Sequence, residues 1–135
     1  MKHELISKTQ SLGISDRVKF LGYREDVAEL MKAFDVGVVP SRQEAFGITA
    51  IEFMSMKIPL VSSDVYGLAE IVENMRNALV PSENKPDYIA ECIERIISDS
   101  QLRFQLKEKG SETASNFSIH TCVEAVENIY NDLMN

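Results

Sequence analysis

Two glutamates separated by seven residues bracket one glycine in the segment 39–52, Val-Pro-Ser-Arg-Gln-Glu-Ala-Phe-Gly-Ile-Thr-Ala-Ile-Glu. Glu44 precedes Gly47, whereas Glu52 follows it on a predicted helix, about 6 Å along the axis from the first helical residue. Apolar neighbours suggest that Glu52 is only partly solvated, and such a carboxylate is stabilised by accepting hydrogen bonds from hydroxyl groups. A nucleoside diphosphate sugar carries hydroxyls on both sides of its diphosphate. The spacing therefore favours a sugar-nucleotide site.

The glycine between the glutamates indicates an anion site at the start of a helix. Gly47 allows a tight turn and a close approach of the backbone to a ligand. The N–H groups of Ile48, Thr49 and Ala50 are expected to face a diphosphate, aided by the helix dipole. Each feature is weak alone, because a glutamate near a helix start is most often a surface residue. A single glycine before a helix is equally common.

The elements that must position this segment follow from the apolar pattern. Short β-branched runs alternate with segments of helical period, which is typical of a parallel sheet covered by helices. We predict an α/β fold, a Rossmann-like three-layer α/β/α domain with a mostly parallel sheet of about four strands and a C-terminal helical tail. The predicted strands are 18–21, 36–39, 59–62 and 78–80. The predicted helices are one capped by Asp26, 48–56, 68–72, and those starting at Pro86, at Asp99 or Ser100, and at Ser118.

Composition narrows the classes of function. The chain has 135 residues, of which 44% are hydrophobic and 26% charged, as in an ordinary soluble domain. The net charge of −7 argues against nucleic-acid binding, which needs a basic surface. One or two phosphates, in contrast, can be held by backbone N–H groups.

Cysteine and histidine placement gives no metal site. His3 and His120 lack metal-ligand spacing with either cysteine. Cys92 and Cys122 stand singly in helical segments, so we interpret them as reduced core or semi-core thiols. Because the first residues lack the apolar stretch of a secretion signal, a cytoplasmic location is expected. A membrane-peripheral position is an alternative for a full-length enzyme.

The segment from Pro40 to Glu52 resembles the two-glutamate signature of retaining glycosyltransferases with the GT-B fold, which has two facing Rossmann-like domains. The similarity is to the large family 4, or group 1, which includes sucrose synthases and bacterial mannosyl- and glucosyltransferases. The resemblance covers roughly residues 12–117. Further motifs follow in the family's order, namely Phe20-Leu21-Gly22 with Asp26, Ala33-Phe34-Asp35-Val36, Pro59-Leu60-Val61-Ser62-Ser63, Gly67-x-x-Glu70-Ile71-Val72 and Leu79-Val80-Pro81.

The resemblance implies a role for individual residues. Glu44 would bond hydroxyls of the donor sugar and is the residue predicted to be catalytic, while Glu52 would bond the ribose. The Tyr23–Arg24 loop would lie beside the nucleobase and contact it mostly through backbone atoms. The family usually needs no metal, so no cofactor is expected. The nucleoside diphosphate sugar is the implied substrate. The implied donor-binding residues are Glu44, Phe46, Gly47, Ile48, Thr49, Glu52, Tyr23 and Arg24.

The resemblance also predicts the domain organisation. Residues 1–135 would form a single donor-binding domain, truncated on its N-terminal side and ending in a helix over 118–135. The domain carrying the acceptor site, or a partner chain, would complete the enzyme, and the chain alone is expected to be inactive. A homodimer through an exposed sheet edge or the C-terminal helix is a further option. We also expect the strands 18–21 and 36–39 to pair directly, or a second copy to fill the gap between them.

The sequence departs from the family's pattern at several positions. Ala45 and Tyr66 stand where glycine is usual. The Tyr66 ring would either restrict which sugars the site accepts or only pack against neighbouring residues. The Arg and Lys with which the family grips the diphosphate have no match, and Arg24 and Arg42 are partial substitutes at most. Two alternatives stay open: a non-catalytic nucleotide-binding or scaffold module of a split enzyme, and a domain like that of a sugar-nucleotide epimerase. The sequence identifies neither nucleobase, sugar nor acceptor.

Overall fold

The computed structural model describes residues 2–134 and has an α/β architecture. The predicted fold class is confirmed. Met1 and Asn135 lie outside the described residues, so the predicted limits 1–135 and 118–135 are assessed without them. The elements are α1 (Lys2–Ser11), α2 (Val27–Met31), β1 (Gly37–Val39), α3 (Ile48–Ser55), β2 (Leu60–Ser62), a 3-10 helix (Tyr66–Glu70), α4 (Pro86–Ser98), α5 (Ser100–Ser115) and α6 (Ile119–Met134).

The sheet consists of β1 and β2, which are parallel. Gly37 is paired with Leu60 and Val39 with Ser62, so both strands end at the same edge. Gly37 leaves space for α3, because a Cβ there would lie 2.6 Å from Cγ of Phe53. The carboxyl ends of both strands therefore open onto one set of loops.

The prediction of about four strands is too high for the described residues, which contain two. The predicted strand 78–80 forms one parallel bridge with β2, between Leu79 and Val61, in which Leu79 N–H donates to Leu60 O at 2.9 Å. Ala78 forms a second, local bridge with Asn74. On one side, Asn77 N–H donates to Glu73 O within a turn, at 3.2 Å. On the other, Pro81 has no N–H to donate. The ladder therefore stops after one residue.

The predicted strand 18–21 is also wrong, and so is its direct pairing with the strand at 37–39. Residues 18–21 are extended without strand pairing, and β1 pairs with β2 instead. Phe20 is 37% exposed and Leu21 48% exposed. A strand needs a neighbour to satisfy its backbone groups, and the described residues supply none beside this segment.

Two apolar clusters form the core, one on each face of the sheet. The first joins α3 to β2 and the 3-10 helix, and includes Phe53, Met54, Leu60 and Leu68. The second includes Val61, Leu79, Ile96, Leu102 and Leu106. Leu60 and Val61 belong to different clusters because successive side chains of a strand point to opposite faces. Helices therefore cover both sides of the sheet, as predicted for three layers.

Most helix starts agree with the predicted caps. Proline is at the first position of α4, where its missing N–H costs nothing. The Asp99 carboxylate accepts from Leu102 N–H at 2.9 Å, and Ser118 Oγ accepts from Thr121 N–H at 3.1 Å. Asp26 precedes α2, but its side chain makes no cap hydrogen bond. The predictions did not include α1.

The last helix, α6, has no buried residue. Its large apolar side chains are exposed, and they include Ile119, Val123, Val126, Ile129, Tyr130 and Leu133. None of the helices within residues 2–134 combines the length and apolar character needed to cross a bilayer.

The two cysteines differ in environment. Cys92 is half-buried beside the second apolar cluster, whereas Cys122 is exposed, so the interpretation of Cys122 as a semi-core thiol is wrong. Burial raises the pKa of the Cys92 thiol, and the neighbouring Glu91 charge adds to that rise.

We expect iodoacetamide to alkylate Cys122 before Cys92 in the folded chain at pH 8. The thiolate is the reactive form, and Cys92 has both the raised pKa and the lower access. Timed quenching followed by peptide mass spectrometry measures the two rates, and alkylation in urea is the control, since unfolding removes the difference. Equal rates in the folded chain would contradict this arrangement.

Met54→Ala tests the packing of α3 against α5. Met54 is fully buried, and its Cγ would lie 3.2 Å from a Cβ placed on Gly110 of α5. We expect the free energy of unfolding to fall by about 2–5 kcal/mol in urea denaturation, because truncation leaves a cavity. Met134→Ala is the matched control, since that side chain is exposed. Similar losses in the two variants would contradict the core described here.

Candidate functional site

The candidate site lies where the chain leaves the carboxyl ends of β1 and β2. The loop 40–47 connects β1 to α3, and the segment 63–65 connects β2 to the 3-10 helix. In open α/β sheets, ligands bind beyond this edge. Because the strands are parallel, both connections lie on the same side. The two loops can therefore form one site.

Three hydrogen bonds from two side chains on distant segments hold the loop that carries Glu44. Ser63 Oγ donates to Ser41 O at 2.8 Å. The Asn84 side-chain amide donates to Pro40 O at 3.2 Å and to Ser41 O at 3.1 Å. These bonds satisfy carbonyls directly after β1, where strand pairing has ended. The start of the loop is therefore fixed by side chains from elsewhere in the chain.

Gly67 holds the second half of the same loop. Its N–H donates to Glu44 O at 3.1 Å. A Cβ on Gly67 would lie 2.2 Å from Ala45 O and 2.8 Å from Cα of Phe46, distances that no side chain can occupy. Glycine is thus required here by backbone-to-backbone packing, which sets the position of Glu44 relative to the 3-10 helix.

Gly47 is required at the start of α3 for two reasons. Its φ of 104° is left-handed, a conformation that favours glycine. In addition, a Cβ would lie 2.6 Å from Cδ2 of Leu68. Gly47 O accepts hydrogen bonds from Ala50 N–H at 3.0 Å and Ile51 N–H at 3.3 Å.

These bonds correct one prediction about the amides. Ala50 N–H is used inside the helix, and Ala50 is buried, so it does not face a ligand. Ile48 and Thr49 precede the first intrahelical donor and are exposed. Two backbone N–H groups, rather than three, are therefore placed to meet an anion at the positive end of α3.

The two glutamates have different surroundings. Glu44 is half-buried and, with Gln43, Ala45 and Tyr66, lines an open depression of about 530 Å³. The Ser41 hydroxyl lies 3.4 Å from Glu44 Oε2, which is a long hydrogen bond. One edge of the carboxylate therefore faces the depression with no basic side chain among its lining residues.

Glu52 is exposed, so the prediction that it is only partly solvated is wrong. Its neighbour Phe53 is buried, and the helical rotation between consecutive residues turns Glu52 outward. Glu52 is not among the described residues that line the depression. The structure thus places Glu44 and Glu52 on either side of the helix start without joining them in one cavity.

Phe46 contributes its backbone to the loop and directs its ring elsewhere. The ring packs edge-to-face against Phe117, with ring centroids 5.8 Å apart. It also borders an apolar groove of about 480 Å³ at the beginning of α6. This packing ties the glutamate loop to the end of α5.

Tyr23 and Arg24 lie on the segment before α2. Tyr23 is 90% exposed, and the Arg24 guanidinium bonds Asp26 through Nε at 2.7 Å and Nη2 at 2.5 Å. This pair raises the pKa of Arg24 and lowers the pKa of Asp26. Neither predicted residue is among the described residues that line the depression. The Arg24 charge is already compensated, so Arg24 is a poor substitute for a phosphate-binding arginine.

Sequence reasoning missed Asn84 and Gln43 and treated Ser63 only as part of a strand motif. Asn84 reaches the loop from 43 and 44 residues away, and Ser63 from 22. No local pattern encodes such contacts. For Gln43, its position between Ser41 and Glu44 on the same loop was an available signal. Within the described part of the chain, no group of three His, Cys, Asp or Glu residues is placed to hold a metal ion.

A glycine-led helix and a glutamate loop at the carboxyl edge of a parallel sheet define a Rossmann-like, ligand-binding α/β domain. The chain belongs to the glycosyltransferase family described as Glycosyl transferases group 1, whose sequence pattern matches residues 1–113. An uncharacterized glycosyltransferase of Methanocaldococcus jannaschii is 36% identical over 118 residues, 86% of this chain and 34% of that protein. The D-inositol 3-phosphate glycosyltransferase of Corynebacterium diphtheriae is 33% identical, over 94% of this chain and 30% of that protein.

Solved structures show the same fold. The Anabaena protein HepE, crystallised with UDP, superposes with a TM-score of 0.90 at 29% identity, over 96% of this chain and 36% of HepE. Sucrose-phosphate synthase from Thermosynechococcus elongatus gives a TM-score of 0.87 at 29% identity, over 98% of this chain and 34% of the synthase. The fold is that of the C-terminal domain of GT-B glycosyltransferases, and the chain spans about a third of these relatives.

Gly67→Ala tests the close packing of the two loops. The added Cβ must displace the backbone of Ala45, so we expect the free energy of unfolding to fall by about 1–3 kcal/mol in urea denaturation. Gly22→Ala is the control, because it has open space and costs only the strain of a φ of 69°. A Gly67→Ala variant no less stable than the Gly22→Ala variant would contradict the packing described.

Proposed function

We propose that the chain is the donor-binding part of a retaining glycosyltransferase that moves a hexose from a nucleoside diphosphate sugar to an acceptor hydroxyl. The observation that carries the proposal is the single loop 40–47. It presents Glu44 at the depression and ends at Gly47, after which the N–H groups of Ile48 and Thr49 lack intrahelical acceptors. Such amides bind a phosphate, and the adjacent carboxylate binds a sugar hydroxyl.

The comparisons support this ligand class. HepE was crystallised with UDP and also with UDP-glucose, and the latter structure superposes on this chain with a TM-score of 0.87 at 28% identity. Binding of a nucleotide sugar by a protein of the same fold supports the same ligand class for this chain.

Each predicted site residue receives a role in the proposal. Glu44 accepts hydrogen bonds from hydroxyls of the donor sugar and is the catalytic residue. The backbone of Phe46, Gly47 and Ile48, with Thr49, meets the sugar and the diphosphate. Glu52, exposed on α3, accepts from the ribose hydroxyls. The Tyr23–Arg24 segment lies beside the nucleobase and contacts it through backbone atoms.

The proposed reaction breaks the bond between the anomeric carbon and the diphosphate oxygen. The bond to the acceptor oxygen forms on the same face of the sugar, and the acceptor proton passes to the departing diphosphate. Negative charge grows on that diphosphate, where the N–H groups of Ile48 and Thr49 and the dipole of α3 stabilise it. In this proposal the protein positions the donor and needs no metal ion.

The acceptor is expected to bind outside this chain. The chain spans about a third of its relatives, so an N-terminal acceptor domain or a partner chain would supply the other wall of the active site. The chain alone should bind donor weakly and transfer no sugar. In this proposal the single domain binds the donor, and the rest of the enzyme binds the acceptor.

Calorimetric titration of the chain with UDP, GDP and ADP and with their glucose or mannose derivatives tests the proposal. Glu52→Gln should weaken binding of the nucleotide and its sugar derivative alike, by about 10- to 100-fold, because charge-assisted hydrogen bonds to the ribose are lost. Glu44→Gln should weaken binding of the sugar derivative and leave the affinity for the nucleoside diphosphate without a sugar unchanged.

Glu94→Gln is the control, because Glu94 is an exposed carboxylate on α4 and the variant makes the same change of charge. Its affinities should equal those of the unmodified chain. If no nucleotide binds, the scaffold interpretation replaces this proposal. If Glu52→Gln binds the nucleotides as tightly as the unmodified chain does, the ribose assignment is wrong.

A further inference from the structure

Tyr66 combines an unfavourable backbone conformation with an exposed ring. Its φ is 49°, a left-handed value that side chains rarely adopt, yet its side chain is 68% exposed. Lys57 and Met75 share a positive φ, but they lie in turns. Lys57 N–H bonds Met54 O as α3 ends, and Met75 N–H bonds Ala78 O. Of these three residues, Tyr66 alone lines the depression beside Glu44.

The neighbours of Tyr66 hold its backbone in place. Gly67 donates to Glu44 O and lies against the Ala45 carbonyl, while Leu68 N–H donates to Val65 O at 3.1 Å. Leu68 is also fully buried. The backbone is therefore constrained on the C-terminal side of Tyr66, and the ring is presented at the depression without being needed to fill the core.

The ring contributes little to packing within the described part of the chain, because Tyr66 is 68% exposed. The ring pairs found there are Phe34 with Phe53 and Phe46 with Phe117. Tyr66 makes neither an aromatic contact nor a side-chain hydrogen bond among the described residues. An exposed ring without such contacts favours contact with a bound sugar over packing as the role of Tyr66.

We propose that the Tyr66 ring forms one wall of the subsite for the transferred sugar, beside Glu44. This inference rests on the proposed function. A hexose has C–H faces and hydroxyl edges, so an aromatic face and a carboxylate together match both surfaces. Ligand sites are mostly apolar with a few placed polar groups, and the depression of about 530 Å³ has the size of such sites. Tyr66 is a specificity-determining residue in this arrangement.

The test uses Tyr66→Asn and Tyr66→Phe in the full chain, titrated calorimetrically with UDP and UDP-glucose. Asparagine tolerates the left-handed conformation and removes the ring, whereas phenylalanine keeps it. Covering roughly 50 Å² of ring corresponds to about tenfold in Kd. We expect Tyr66→Asn to weaken UDP-glucose binding by that factor without changing UDP binding, and Tyr66→Phe to retain most of the affinity for UDP-glucose.

Thermal unfolding of the same variants excludes an indirect effect on the fold. Tyr66→Asn should keep or raise Tm, and Tyr66→Gly should raise it by about 2–6 °C, since glycine adopts a φ of 49° without strain. A lowered Tm would mean that the ring packs, which overturns the inference. Tyr130→Asn removes an exposed ring from α6 and should leave both affinities unchanged.

The outcomes separate the two proposals. If UDP and UDP-glucose both bind and Tyr66→Asn leaves their Kd ratio unchanged, this inference is wrong and the donor site stands. This includes the case in which Tyr66→Asn weakens the binding of UDP and of UDP-glucose equally, because the ring then does not act on the sugar. If UDP, GDP, ADP and their sugar derivatives all fail to bind the unmodified chain, the proposed donor function fails and this inference fails with it.

Discussion

The close approach between Gly67 and the Ala45 carbonyl is the contact on which the rest of the site depends. It brings the loops that follow β1 and β2 into backbone contact. Gly67 N–H also donates a hydrogen bond to Glu44 O, which joins the same two loops. The loop bearing Glu44 and the 3-10 helix bearing Tyr66 are therefore held together through their backbones. Such preorganisation lets a ligand meet fixed groups rather than order flexible ones.

Anion binding here would depend on the backbone more than on charged side chains. The chain carries a net charge of −7, and Arg24 is already paired with Asp26. At the start of α3, in contrast, two N–H groups have fixed directions and add to the helix dipole. Fixed dipoles of this kind need no reorganisation when charge develops on a ligand. The acidic composition is thus compatible with a phosphate-bearing ligand.

The local signals in the sequence were sufficient for most helices, though not for α1, and for the loop 40–47, because proline, aspartate, serine and glycine act on the residues beside them. Pro86, Asp99 and Ser118 mark helix starts in both sequence and structure. Strands were overestimated, because an apolar run becomes a strand only when a neighbour pairs with it, as residues 18–21 show. The contacts of Asn84 with the loop span more than 40 residues and have no local signature.

The outer edge of the segment 78–80 has a further consequence, for the behaviour of the chain in concentrated solution. Leu79 directs its N–H and C=O towards β2, so the N–H and C=O groups of Ala78 and Val80 face the rim of the sheet, where free backbone groups would attract the backbone of another molecule. Val80 N–H is already bonded to Asn74 Oδ1 at 3.0 Å, and Ala78 O already accepts from Met75 N–H at 2.9 Å. This rim is therefore a poor template for strand addition by a second molecule.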